Sequence, residues 1–169
     1  MVNNAELPYG GSGAQNLRRA FQSLIRRFGL LDAERTPCGH PLAVSHAHAL
    51  MELLHNPGIR QLDLAGTLGL SKSAVSRMVD QLQQRGWIER QADDADGRAW
   101  CLSLSARGRQ LARRIDDASI ARFSAILDRV PAAMRGQVVS TLDLLHGAIP
   151  TEAEEERVMR RSRGIEASS

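Results

Sequence analysis

The chain has 169 residues, which is enough for one domain with a core of its own. Its hydrophobic share of 43% and charged share of 24% are typical of a soluble globular protein, and they exclude a fibrous or a mainly disordered chain. Only 4% of the residues are aromatic, which favours a helical protein over a β-sandwich, and the net charge of +3 is compatible with nucleic acid as a partner.

The sequence shows none of the patterns that direct a chain out of the cell or into a membrane. The first residues lack a basic segment followed by an apolar one, and no apolar run is long enough to cross a bilayer. Cys38 and Cys101 are far apart and form no CxxC motif, so no disulfide framework is expected. We therefore expect a cytoplasmic protein.

The first third of the chain predicts a tail, two helices and a loop between them. Residues 1–13 contain three glycines and a proline and are expected to be flexible. A helix follows from about Ala14 to Leu31, and Arg35–Pro41 forms a loop with two prolines and a glycine. The second helix runs from about Val44 to His55, where Asn-Pro-Gly ends it.

Residues 62–85 predict two helices joined by a tight turn at Gly69. The first helix spans about Leu62–Leu68, and the second spans about Lys72–Arg85 with Ser71 as its N-cap. One face of the second helix is apolar and is expected to be buried; it consists of Ala74, Val75, Met78, Val79 and Leu82. The other face carries Lys72, Ser73, Ser76 and Arg77, whose side chains suit phosphates and base edges. This pattern is typical of a helix-turn-helix that lies in a DNA major groove.

A β-hairpin is predicted directly after this motif. Its strands are Trp87–Gln91 and Ala99–Leu104, and the second alternates apolar and small or polar residues. Asp96-Gly97 in the connection is a favourable turn dipeptide. The predicted fold class is therefore mainly α with a small β-wing, namely a winged helix-turn-helix domain.

Two more helices are predicted after the wing, and they indicate a dimer. They span about Ala106–Val130 and Pro131–Ile149, and a charged tail of residues 150–169 follows. Together with the first helix they carry more apolar surface than a small winged helix can cover. We therefore expect residues 14–149 to form one domain, with 42–105 binding DNA and with 14–41 and 106–149 pairing with a second copy.

The local sequence in this region resembles that of MarR-type transcriptional regulators (the multiple antibiotic resistance regulator family). The resemblance covers roughly Leu42 to Gly108. The residues that carry it are Leu64-Ala65, Leu68–Ser71, Ser73–Arg77, Val79-Asp80, Leu82, Arg85–Arg90, Asp93, Asp96–Arg98, Leu102, Leu104-Ser105 and Gly108.

The resemblance implies a cytoplasmic homodimer that binds a palindromic operator and is commonly a repressor released by a small-molecule effector or another signal. It places Arg98 of the wing in the minor groove, with Asp96 holding it. It also assigns DNA contacts to the recognition helix, at Ser71, Lys72, Ser73, Ser76 and Arg77. Neither a cofactor nor a membrane partner is implied.

Three other functions are weighed beside this one. A winged helix can serve protein interaction without sequence-specific DNA binding. A regulator of the same fold can sense metal or oxidants, and Cys38, His40, His48 and His55 are the candidates, although no CxxC or HxxxH pair supports a metal site. An enzyme is not expected, because the serines have no histidine base nearby and no phosphate-binding glycine loop is present.

Overall fold

A computed structural model describes residues 12–92 and 99–150. The helices are α1 (Gly13–Phe28), α2 (Val44–His55), α3 (Gln61–Leu68), α4 (Lys72–Gln84), α5 (Ala106–Leu127) and α6 (Arg135–Ala148), and a 3-10 turn (Ala132–Met134) precedes α6. The strands are β1 (Ile59–Arg60), β2 (Ile88–Ala92) and β3 (Trp100–Leu104). The order of elements confirms the predicted winged helix with additional terminal helices.

The sheet has three antiparallel strands in the order β1-β3-β2. Ile88 is paired with Leu104 and Ile59 with Leu102, so the predicted hairpin gains an edge strand that comes from before α3. β1 was not predicted from the sequence, because a strand of two residues shows no alternation.

The core lies where α2, α3 and α4 pack on one face of this sheet and on the start of α5. Its largest fully buried side chains come from every one of these elements, and they include Leu50, Leu64, Leu82, Leu102 and Ile115. Apolar residues at helical spacing on α4 and at alternate positions on β3 both point into it. This core fixes the helix-turn-helix against the wing.

The ends of α1 differ by a few residues from the prediction. α1 begins at Gly13 because Ser12 and Gln15 form a capping box, in which each side chain accepts a hydrogen bond from the backbone N–H of the other. It ends at Phe28, three residues earlier than predicted, because Gly29 follows in a left-handed conformation.

The junction between α5 and α6 also differs. α5 ends at Leu127, and the N–H groups of Arg129 and Val130 bond to carbonyls three residues back. Pro131 explains this, because it disfavours helical geometry at the residue before it. α6 starts only after the 3-10 turn.

The chain divides into two compact units, one up to Arg122 and the other from Phe123 onward, with the boundary inside α5. The first unit contains the core described above. In the second unit, α6 has no buried residue. Among the helices of residues 12–92 and 99–150, none is long and apolar enough to cross a membrane.

Candidate nucleic-acid interface

The turn between α3 and α4 is closed by backbone hydrogen bonds and a side-chain cap. Gly69 has φ 61°, a left-handed conformation that glycine adopts without strain, and its N–H bonds back to Gly66. The Ser71 hydroxyl accepts a hydrogen bond of 3.2 Å from the N–H of Ala74, which confirms the predicted N-cap. The first turn of α4 is therefore fixed by local interactions.

α4 separates its residues largely as the sequence predicted, except that Ala74, expected in the buried face, is only half-buried. Val75, Met78, Val79 and Leu82 are buried, whereas Lys72, Ser73 and Arg77 are exposed and Ser76 is half-buried. The hydroxyls of Ser71 and Ser73 lie 3.2 Å apart, so these two residues form a single polar group at the helix N-terminus. The N-terminal half of the helix therefore carries two cations, Lys72 and Arg77, and the hydroxyls of Ser71, Ser73 and Ser76.

An ion pair links this helix to the wing. The Arg90 guanidinium on β2 lies 2.8 Å from the Asp80 carboxylate on α4, and the arginine side chain is the more buried of the two. It holds the strand that leads into residues 93–98 beside the recognition helix. This pair was not predicted from the sequence, because spacing along the chain gives no sign of a contact between a helix and a later strand.

A second contact links the recognition helix to α2. The His46 ring nitrogen Nε2 lies 2.8 Å from Oε1 of Gln81 in a hydrogen bond, and His46 is half-buried. The spacing of residues along the chain did not predict this partner on another helix.

The base of the wing is held by Ser105. Its hydroxyl donates a 2.7 Å hydrogen bond to the carbonyl of Gly86 and accepts one of 3.0 Å from the N–H of Gly108. Its own N–H bonds to the carbonyl of Trp87. The start of α5 therefore fixes the point at which β2 leaves the helix-turn-helix.

Asp96 and Arg98, predicted at the tip of the wing, lie outside the described residues.

Three of the four candidate metal and redox residues, Cys38, His40 and His55, have separate protein partners. Cys38 Sγ lies 3.2 Å from the Thr36 hydroxyl, His40 Nε2 lies 3.3 Å from the carbonyl of Arg114, and His55 Nε2 lies 3.8 Å from the Asp116 carboxylate. In the part of the chain that the structure describes, no three His, Cys, Asp or Glu side chains are grouped so that they could hold a metal ion.

Residues 40–99 match the sequence profile of the MarR family. The chain is 27% identical over 146 residues to a protein of Thauera aromatica named as a transcriptional regulatory protein for the hcr operon, and the match covers 84% of this chain and 85% of that protein.

Solved structures of similar fold include one protein in complex with DNA and one in complex with a ligand. Streptococcus pneumoniae FabT, crystallised in complex with DNA, has a TM-score of 0.67 and 17% identity, covering 79% of this chain and 95% of that one. The PcaV transcriptional regulator of Streptomyces coelicolor, crystallised with its natural ligand, has a TM-score of 0.64 and 20% identity, covering 81% of this chain and 94% of that one.

The fold, the matched region and the cationic recognition face define the class of this protein, which is a DNA-binding transcriptional regulator and not an enzyme. The MarR profile matches residues 40–99, which contain the helix-turn-helix and β2, so this region of the chain is similar to that family.

Proposed function

We propose that the chain is a homodimeric repressor that binds a palindromic operator in the cytoplasm and is released by a small ligand. One observation carries the DNA-binding part of this proposal: the exposed end of α4 presents Lys72, Ser73 and Arg77 on the opposite side from its buried stripe. This arrangement is the one a helix needs when it packs on its own domain and lies in a major groove.

Each side chain has a role that its chemistry suits. The Lys72 ammonium and the paired hydroxyls of Ser71 and Ser73 contact phosphates, while Ser76 and Arg77, further along the helix, reach base edges. An arginine can make two parallel hydrogen bonds to a guanine. On the wing, Arg98 enters the minor groove and Asp96 restricts its rotamers, as the family resemblance implies.

Exposed apolar side chains support the homodimer. On α1, Leu17, Phe21 and Leu24 are exposed, and one side of α6 exposes Val138, Val139 and Leu142. Exposed apolar patches of this kind mark interaction surfaces in soluble proteins. A second copy of the chain covers them, and a two-fold dimer then places its recognition helices about 34 Å apart, which is one turn of DNA.

Release by a small ligand is proposed from similarity. PcaV, whose fold this chain shares, was crystallised with its natural ligand. A signal that changes the separation of the two recognition helices would remove one half-site from the DNA and lower the affinity.

The test is a mobility-shift titration with duplexes from the chain's own promoter region, at several salt concentrations. We expect Lys72→Ala and Arg98→Ala each to weaken binding and to lower the salt slope by about one, because each removes one cation from the DNA contact. If the slope stays unchanged for both variants, the proposed contacts are wrong.

Arg85→Ala is the matched control, because it removes the same charge from the other end of α4. The Arg85 guanidinium lies over the Trp87 ring, 5.1 Å from its centroid, and not beside Lys72. We expect this variant to retain the salt slope.

If the unaltered protein binds no duplex better than random DNA, the chain is a winged-helix interaction module instead.

A further inference from the structure

A cleft of about 380 Å³ lies within the winged-helix unit, where the start of α3, the start of α4 and the start of β3 meet. Two of the side chains that line it are large, apolar and accessible: Trp100 of β3 is 49% exposed, and Leu62 of α3 is 57% exposed. Lys72, the first residue of the recognition helix, lines it as well. The cleft therefore joins an exposed apolar surface to the cationic end of α4.

Trp100 is exposed because of its position in the strand. It alternates with Leu102 and Leu104, which are buried, so its side chain lies on the face of β3 that packs on the core. It is also the first residue of β3 and pairs with Ala92, the last residue of β2, so it lies at the outer end of the sheet. Tryptophan is common at interfaces, because its ring is apolar and its N–H group is polar.

Trp100 lies between the two parts of the protein that are proposed to enter DNA grooves. It lines the same cleft as Lys72 of the major-groove helix, and it follows Arg98, assigned to the minor groove, by two residues. Two residues of extended chain span about 7 Å at most. One sugar–phosphate strand separates a major groove from the minor groove beside it, so a domain that enters both must cross that strand. The cleft is positioned for this crossing.

The lining of the cleft favours the sugar over the phosphate. Asp63 also lines it, and a carboxylate repels a phosphate. The side chains of Trp100 and Leu62 instead match the carbon atoms of a deoxyribose ring, whose contact removes apolar surface from water. The indole N–H group can donate one hydrogen bond to a backbone oxygen of the DNA.

We propose that Trp100 is a DNA-contacting residue whose indole packs, together with Leu62, on one deoxyribose of the strand between the two grooves. The contact adds affinity without adding charge, and it fixes the position of the wing on the duplex without reading a base. This inference rests on the proposed function, because it depends on the grooves that Lys72 and Arg98 are proposed to occupy.

The first experiment measures the accessibility of Trp100 by fluorescence. The chain has two tryptophans, so Trp87→Phe leaves Trp100 as the single emitter in the full-length protein. We expect its quenching by acrylamide to fall about twofold when the promoter duplex used above is added, because DNA covers the indole. Trp100→Phe gives the control, in which Trp87, half-buried beneath the Arg85 guanidinium, shows no such change.

Mobility shifts at several salt concentrations then test the kind of contact. We expect Trp100→Ala to weaken DNA binding about tenfold at every salt concentration, because it removes buried apolar area. The salt slope stays unchanged, since a sugar contact releases no counterion, whereas Lys72→Ala lowers it by about one. Trp100→Phe should retain most of the affinity, because it keeps an apolar ring, and Trp87→Phe should retain all of it.

Leu62→Ala tests the same surface from α3, so the proposal can be checked even if Trp100→Ala fails to fold. It should weaken binding at every salt concentration and leave the urea midpoint unchanged, because the Leu62 side chain is largely exposed. Unaltered DNA affinity in folded Leu62→Ala and Trp100→Ala variants would overturn the proposal.

The outcomes separate this contact from the proposed function. If a duplex binds but Trp100 remains as accessible as before, the indole contact is refuted and DNA binding stands. If Trp100 becomes protected as the protein concentration rises, without DNA, a second copy of the chain covers it and the contact is also refuted. If no duplex binds at all, both proposals fail.

Discussion

Gly108 shows how closely the wing base is packed at the level of single residues. A Cβ atom built on it would overlap the backbone carbonyl oxygen of Trp87, which is not the flexible end of a side chain and cannot easily move. Gly108 is itself buried in the first turn of α5, beside the hydrogen bonds made by Ser105. The position therefore excludes any side chain.

We expect Gly108→Ala to lower the free energy of unfolding by about 1–3 kcal/mol, because the added methyl group forces α5 and the wing base apart. Urea denaturation measures the loss. Gly66→Ala on α3 is the matched control, since nothing lies within 4 Å of its Cβ position. That variant should be neutral or more stable by about 0.5–1 kcal/mol, as alanine favours helix. Equal behaviour of the two variants would show that the close approach does not exist.

Residues whose role depends on neighbours in sequence were predictable, and those whose partner is distant were not. Ser71 was predicted as an N-cap because the cap and the amide it bonds are three residues apart. His46 and Gln81 are 35 residues apart, so their hydrogen bond follows only from the packing of α2 on α4.

The ion pair between Asp80 and Arg90 acts at the scale of elements, because it joins α4 to β2. The two side chains are 50% and 20% exposed, so solvent screens the interaction only in part. Because α4 and β2 share both a core and this ion pair, they keep one relative orientation. The wing needs that orientation to contact the DNA at the same time as α4.

A double-mutant cycle with Asp80→Asn and Arg90→Gln should give a coupling energy of about 0.5–1 kcal/mol in urea denaturation. The pair of Asp128 and Arg135 serves as a comparison, because it is longer, at 3.5 Å, and more exposed. Its coupling should be close to zero. Additive effects at Asp80 and Arg90 would argue against a link between helix and wing.

Most elements could be predicted because their signals are local. α2 was predicted with both of its ends correct, and the other helices differ by a few residues at one end or both. β1 was missed because it pairs with β3, more than 40 residues later in the chain, and has too few residues to show a pattern.

At the scale of the whole molecule, the exposed apolar residues of α6 are the strongest argument for a second copy. Leu142 is 51% exposed, and no residue of α6 is buried. Such a helix gains stability only when another surface covers its apolar side chains.

Leu142→Glu is expected to prevent dimerisation, because it buries a carboxylate in an apolar interface. Sedimentation velocity should then give a mass near 18.5 kDa instead of twice that value. Ser140→Glu is the control, since Ser140 is two residues away on the other side of α6, where its hydroxyl bonds to the carbonyl of Gly136. A dimer that survives Leu142→Glu would move the interface away from this face.

The sequence by itself determined the winged helix, the capped recognition helix and most of the exposed residues of that helix, because caps, turns and hydrophobic periodicity act over a few residues. Only the tertiary structure decided what holds that helix in place and what lies beside it. The Asp80–Arg90 pair, the His46–Gln81 hydrogen bond and the close approach at Gly108 all join residues that are distant in sequence. Contacts of this kind depend on how the core packs, and spacing along one chain does not encode them.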